Sequence, residues 1–246
     1  MIHTGDFTER LMEELNCETV FTIPILGGIG VSEAVVVTWI IMGILVAVAI
    51  PLGRNLTIEN CSKKQIALEA FFGMLDNFFI GLMGKKGKRY VPYMMTIIIF
   101  IGLSNIIGII GFKSPTKDVR ITAGLAVMSI VLVQVAGIQN RGVKGWLKSF
   151  AEPIFIVAPI NVLELIIKPL SLCMRLYGNV LGAFIIMKLI ELVIPVGAPP
   201  IFSIYFDLFD GFIQAYVFCF LTSLYISEAI GEEEESPPAV AQDEVT

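Results

Sequence analysis

Eight ionisable residues lie inside segments that are otherwise apolar: Glu164, Lys168, Arg175, Lys188, Glu191, Asp207, Asp210 and Glu228. A charge at the centre of a bilayer costs at least ~2.5–3.5 kcal/mol on insertion scales, so it faces a partner, a cavity or an ion path. At ~100° per residue, Glu164, Lys168 and Arg175 share one helix face, with Asn179 beside them. Glu164 and Lys168 are four apart and can pair, either as a structural bridge or as part of an ion path. Arg175 has no acid three or four residues away. It is either tied to carbonyl groups or a fixed functional charge, because a guanidinium does not deprotonate in proteins. Asp207 and Gln214 are seven apart on the next apolar segment, with Asp210 near the same face. These three make either interhelical hydrogen bonds or a hydrated wall. Lys188 points away from the Arg175 face and, with Glu191, can snorkel or pair. Asn105, a lone amide further upstream, is either packing glue or polar lining. Together these residue types offer ion transfer: carboxylates and amides that hold a cation, beside a permanent positive charge that repels one.

The elements that carry them are membrane helices. Of 246 residues, 56% are hydrophobic and only 16% charged, against roughly 25% charged in an average soluble domain. Without a charged coat an ordinary soluble enzyme is excluded. Spans of roughly 20 apolar residues are expected at Ala34–Leu52, Tyr90–Phe112, Ile121–Ile138, within Phe155–Ile194, and at Ile201–Ile230. The stretch Lys63–Met83 mixes Phe71, Phe72, Phe78 and Phe79 with Lys64, Glu69, Asp76 and Asn77. It is read as an amphipathic interfacial helix and not counted as a span. The expected class is therefore an all-α integral membrane protein with about five spans. Residues 1–30 form an extracytoplasmic segment, 31–230 the membrane domain, and 231–246 an acidic, disordered tail that includes Glu232–Glu235.

Ile160–Ile194 would be ~52 Å long as a helix, well beyond a ~30 Å hydrocarbon core, so strong tilt is expected. Pro169 should kink it. The short turn Pro195–Pro200 makes an antiparallel hairpin with the last segment. Lys and Arg concentrate in Gly53–Arg89 and again at Arg141, Lys144 and Lys148. The positive-inside rule puts those loops in the cytoplasm, the N-terminus outside and the tail inside. Nothing at the N-terminus resembles a cleavable signal.

Other classes find little support. The only histidine is His3, which excludes a bis-histidine haem or a His-rich zinc site from this chain alone. The four cysteines are scattered, without a C-x-x-C, and read as small buried hydrophobes. No phosphate loop, dinucleotide fingerprint or Ser/His/Asp arrangement is visible, and no basic stripe suits nucleic acid. A stand-alone channel or secondary transporter remains open, although no internal repeat is visible. A passive membrane anchor would leave the intramembrane charges idle.

The residues around Arg175 carry a resemblance. Pro169-Leu-Ser-Leu-Cys-Met-Arg-Leu-Tyr-Gly-Asn179 resembles the signature of subunit a of rotary F-type ATP synthases. Tyr90-Val-Pro-Tyr, Leu103-Ser-Asn-Ile-Ile-Gly108, Asp118 with Thr122, Phe209–Phe218 and Leu221–Tyr225 resemble further family motifs in the same order. The resemblance implies a stator: two long helices lying against a ring of c subunits, with two offset half-channels leading H+ or Na+ to and from the ring carboxylates. Arg175 matches the essential arginine between the half-channels, and Gln214 the glutamine that faces it. Asn179 and Asn105 match channel-lining amides, and Asp207 a polar or titratable position. The implied partners are the c ring, the b subunits, the remaining synthase subunits and the lipid of a bacterial inner membrane. No bound cofactor is implied, and no metal beyond transient Na+ near Asp207. ATP chemistry would lie on other subunits. One position departs: many members carry Glu or His nine residues after the arginine, where this chain has Phe184. A missing titratable relay tilts the expectation toward sodium.

Overall fold

The computed structural model describes residues 19–23, 29–54, 62–109, 114–150, 158–193, 202 and 204–231. Strands β1 (Thr19–Ile23) and β2 (Ile29–Ser32) pair antiparallel. Six helices follow: α1 (Glu33–Gly53), α2 (Lys63–Met83), α3 (Val91–Ile109), α4 (Val119–Ser149), α5 (Ala158–Val193) and α6 (Gly211–Ile230). The strand pair lies in the segment that the sequence reading left without secondary structure.

By length and composition, six helices among the described residues can cross a membrane. The sequence reading counted five spans, and α2, set aside there as interfacial, is the sixth helix that qualifies. Its polar residues are too few and too dispersed to exclude it on composition. The expected Pro195–Pro200 turn and the acidic tail lie outside the described residues.

α1 is apolar all round because it has little protein to pack on. It buries Ala34, Val37 and Ile41 near its start, whereas Trp39, Ile40, Met42, Ile44 and Val46 are exposed. In water that surface would drive aggregation; in lipid it is the helix's solvent. A polar contact anchors the buried end: Ser32 Oγ donates to Asp118 Oδ2 at 2.9 Å, and Asp118 Oδ1 accepts from the Arg120 backbone N–H, capping α4.

The core lies between α2, α3, α4, α5 and α6. Phe79, Met94, Ile101, Leu172, Leu176, Phe218 and Ile226 are fully buried there. Helices in lipid gain nothing from the hydrophobic effect against each other, so close approach of small residues matters more. Buried Ser129 of α4 and Thr222, Ser223 and Ser227 of α6 supply it. So does Gly137, where an added Cβ would sit 3.2 Å from the Trp146 ring. Cys173 and Cys219 are buried free thiols, in keeping with their reading as small hydrophobes.

Two backbone features shape the long helices α4 and α5. Gly142 adopts φ 71, ψ 162 inside α4, a left-handed conformation suited to glycine. The chain folds back there, and Trp146 Nε1 donates to Gln134 Oε1 at 2.9 Å. That break falls just past Ile138, where the expected span ended. α5, by contrast, runs helical through Pro169. At ~1.5 Å per residue its 36 residues extend ~54 Å.

Candidate functional site

α5 and α6 are antiparallel neighbours, tied at two levels. Lys168 Nζ donates to Glu228 Oε2 at 2.9 Å, and Asn179 Nδ2 donates to Gln214 Oε1 at 2.8 Å. Between these ties on α5 lies Arg175. Leu172, Cys173 and Leu176 are buried and hold this turn of α5 in the core, whereas Arg175 is exposed. Among the described residues no acid pairs with it. The arginine therefore faces outward from the single chain. An unpaired guanidinium on an apolar helix surface calls for a partner beyond this chain.

A cavity lies on each side of the Arg175 level. The first, about 290 Å³, is formed by the end of α4, the start of α5 and the end of α6. Its charges are closely paired. Lys168 Nζ lies 3.2 Å from Glu164 and 2.9 Å from Glu228, and stacks 5.1 Å from the Tyr225 ring centre. Arg141, read from sequence only as an orienting loop charge, donates through Nη2 to the Glu228 backbone oxygen at 2.8 Å. That carbonyl, in the last turn of α6, also accepts from the Gly231 backbone N–H at 3.3 Å, so the guanidinium adds a second donor there.

The second cavity, about 230 Å³, lies between the later half of α5 and the start of α6. Asn105, Asp210, Gln214, Lys188 and Glu191 line it, together with the apolar Phe184. Gln214 is 2% exposed, and its Nε2 has no hydrogen-bond partner. The structure thus brings Asn179, Gln214, Asp210 and Asn105 together and separates them from Glu164 and Lys168. Asp207 lies in the backbone just before α6, but its side chain falls outside the described residues.

That backbone is itself informative. Ile204–Asp210 is π-helical. The same-face argument for Asp207 and Gln214 assumed 100° per residue, which does not hold through a wider turn. The spacing of seven therefore does not by itself set their relation. Wide turns of this kind recur at functional sites.

Asn105 has a structural role as well as a place in the lining. Its Nδ2 donates to the Gly211 oxygen at 2.9 Å, and its Oδ1 accepts from Thr116 Oγ1 at 3.0 Å. Ser114 Oγ lies 2.7 Å from Thr116 Oγ1 and donates to the Ser104 oxygen at 2.8 Å. A Cβ on Gly211 would lie 2.7 Å from Asn105 Cβ, so this closeness requires glycine. The sequence reading missed Ser104, Ser114, Thr116 and Gly211. The signal available was the cluster of small polar residues about ten positions beyond Asn105, which periodicity does not connect to it.

The family model for the ATP synthase A chain matches residues 35–227. The chain is 38% identical over 210 residues to the ATP synthase subunit a of Moorella thermoacetica, covering 83% of this chain and 94% of that protein. It is 33% identical over 223 residues to a sodium-ion-specific ATP synthase subunit a of Propionigenium modestum, covering 84% and 77% respectively. With a ladder of membrane helices, an outward arginine and polar cavities on either side of its level, the chain belongs to the ATP synthase subunit a family.

Proposed function

We propose that this chain is the stator of the membrane motor, with its two cavities as the inner ends of two half-channels and Arg175 between them. Family membership makes it the ion-translocating, non-catalytic subunit of a synthase and a multi-pass membrane protein. The observation that carries the finer reading is the position of Arg175. It stands seven residues beyond Lys168 of the first cavity and five before Val180 of the second. Those intervals are ~10 Å and ~8 Å along the helix. A ring carboxylate passing between the cavities must meet the guanidinium.

The charge then acts twice. A cation a few ångströms from a carboxylate favours its ionised form and so the release of the bound ion. The same cation repels an ion trying to cross straight from one cavity to the other. Arginine suits this better than lysine, whose ammonium deprotonates when desolvated. Asn179 holds the Gln214 carbonyl, which leaves the Gln214 Nε2 donor to water or to a ring carboxylate. Asp210, Asp207 and Asn105 complete the polar side of the second half-channel. Glu164 and Lys168 belong to the first.

Orientation follows from α2. Lys63 and Lys64 open it, and Lys85, Lys86, Lys88 and Arg89 follow it. If α2 spanned, one of these basic groups would lie outside. Lying at the interface keeps both in the cytoplasm, as the positive-inside rule requires. Five spans then put the N-terminus outside, and the first cavity toward the cytoplasm. The tilted pair α5 and α6 faces the c ring, and the b subunits and the other synthase subunits complete the complex in a bacterial inner membrane. The translocated ion is H+ or Na+. Phe184 and the sodium-specific relative favour Na+, which needs only oxygen ligands and water near Asp207. ATP hydrolysis without sodium stimulation, and a ring that sodium does not shield from carbodiimide, would reassign the ion to H+.

Arg175→Ala tests the core of the reading in the reconstituted complex. Coupled ATP synthesis should fall by on the order of 100-fold or more while assembly persists, and a passive ion leak should emerge. Arg175→Lys should also be deficient. Normal coupling in Arg175→Ala would remove the stator reading.

A further inference from the structure

Lys188 and Glu191 have no part in the roles assigned so far. They lie one turn apart near the end of α5, with Lys188 Nζ 3.3 Å from Glu191 Oε2. Both line the second cavity. The side chain of Glu191 is 47% exposed and that of Lys188 30%, whereas Gln214 is 2% exposed. The cavity therefore runs from an exposed, charged end at Glu191 to a buried end where Gln214 Nε2 is unpartnered. The pair stands nine and twelve residues beyond Asn179, ~13–18 Å further along the helix.

Resting on the stator reading, we propose that the Lys188–Glu191 pair is a charge filter at the mouth of the second half-channel. The physical problem is specific. A lysine in the wall of a cation path repels the cation, and low-dielectric walls strengthen the repulsion. Glu191 cancels that charge at 3.3 Å. With Asp210 further in, the described ionisable lining carries two acids to one base, and the cavity keeps a negative balance that concentrates cations behind a neutral mouth. Lys188 also lies 5.8 Å from the Phe184 ring centre. Its ammonium is thereby held against the wall, close to its carboxylate. Glu191 is thus needed chiefly because Lys188 is there.

The dependence of one residue on the other is the test. Whole synthase is reconstituted in liposomes with F1 outside, and ATP synthesis is driven by a fixed valinomycin–potassium diffusion potential, with rates taken per assembled complex. With a low-salt lumen, Glu191→Gln should slow synthesis roughly three- to tenfold, since steering by charge commonly contributes tenfold or more to cation entry. Lys188→Gln added to Glu191→Gln should restore the rate to within about twofold, and Glu191→Asp should retain it. Choline chloride in the lumen at roughly 0.3 M should shrink the Glu191→Gln defect, because screening there acts within several ångströms. A Glu191→Gln rate equal to the parent overturns the proposal. So does a double variant as slow as the single, a Glu191→Asp rate as low as that of Glu191→Gln, or a defect indifferent to salt. Arg175→Ala run in parallel separates the two levels. If it abolishes synthesis while Glu191→Gln does not slow it, only the filter fails. If it leaves synthesis intact, the stator reading fails.

Discussion

The two cavities beside Arg175 are similar in size, about 290 and 230 Å³, and differ in how their polar groups are used. In the first, Lys168 is shared by Glu164 and Glu228, and Arg141 holds the Glu228 carbonyl in the last turn of α6. Its charges brace three helices together. In the second, Asp210 makes no hydrogen bond or ion pair among the described residues, and the Gln214 Nε2 donor is buried without a partner. Unsatisfied buried polar groups cost on the order of 1–3 kcal/mol each. They persist where water, an ion or another subunit supplies what the single chain lacks. The first cavity ties the helix pair together through its charges, whereas the second leaves Asp210 and the Gln214 Nε2 donor without partners among the described residues.

Substitutions can break this contrast. Asp210→Asn removes the carboxylate of the second cavity at constant shape. Ion flux through the complex should fall by on the order of tenfold while thermal stability stays the same; unchanged flux would reduce Asp210 to packing. Gly211→Ala attacks the frame of the same cavity. The new Cβ meets Asn105 at 2.7 Å and should cost about 1–3 kcal/mol through overpacking, seen as a lower unfolding temperature of the complex. Asn105→Ala in the same chain should recover part of that loss, because it removes the obstructing atoms. Lys168→Met acts on the braced cavity. Its two ion pairs are half-exposed at the glutamates, so the loss should be only about 1 kcal/mol, screened by salt. A fall in stability larger than that of Gly211→Ala would show that the first cavity carries more of the helix packing than its exposure suggests.

Legibility from sequence followed the range of the interactions. The apolar spans, the end of the third span near Ile138 and the unusual length of α5 are set by residues close in the chain. So is the Glu164–Lys168 pair, four residues apart. The count of spans was legible only up to α2, whose composition suits either a span or an interfacial helix. The π-helical turn before Gly211 was not legible, because nothing in the types of Ile204–Asp210 demands the wider winding. That turn is also why the seven-residue spacing of Asp207 and Gln214 does not by itself set their relation. Asn105 looked like a lone amide since its partners, Thr116 and Gly211, are 11 and 106 positions away.

The sequence by itself determined the solvent of this protein and the kind of chemistry it holds. A chain with 16% charged residues belongs in lipid, and its few intramembrane charges had to be costly exceptions. It also carried the family motifs around Arg175. The tertiary structure alone decided which exceptions meet. It joined Lys168 to Glu228 across 60 positions and Asn179 to Gln214 across 35. It turned Arg175 outward, and it put Lys188 and Glu191 in the same cavity as Gln214. The reason is geometric: periodicity assigns a residue to a face of its own helix, but only the packing of one helix on another decides what that face touches.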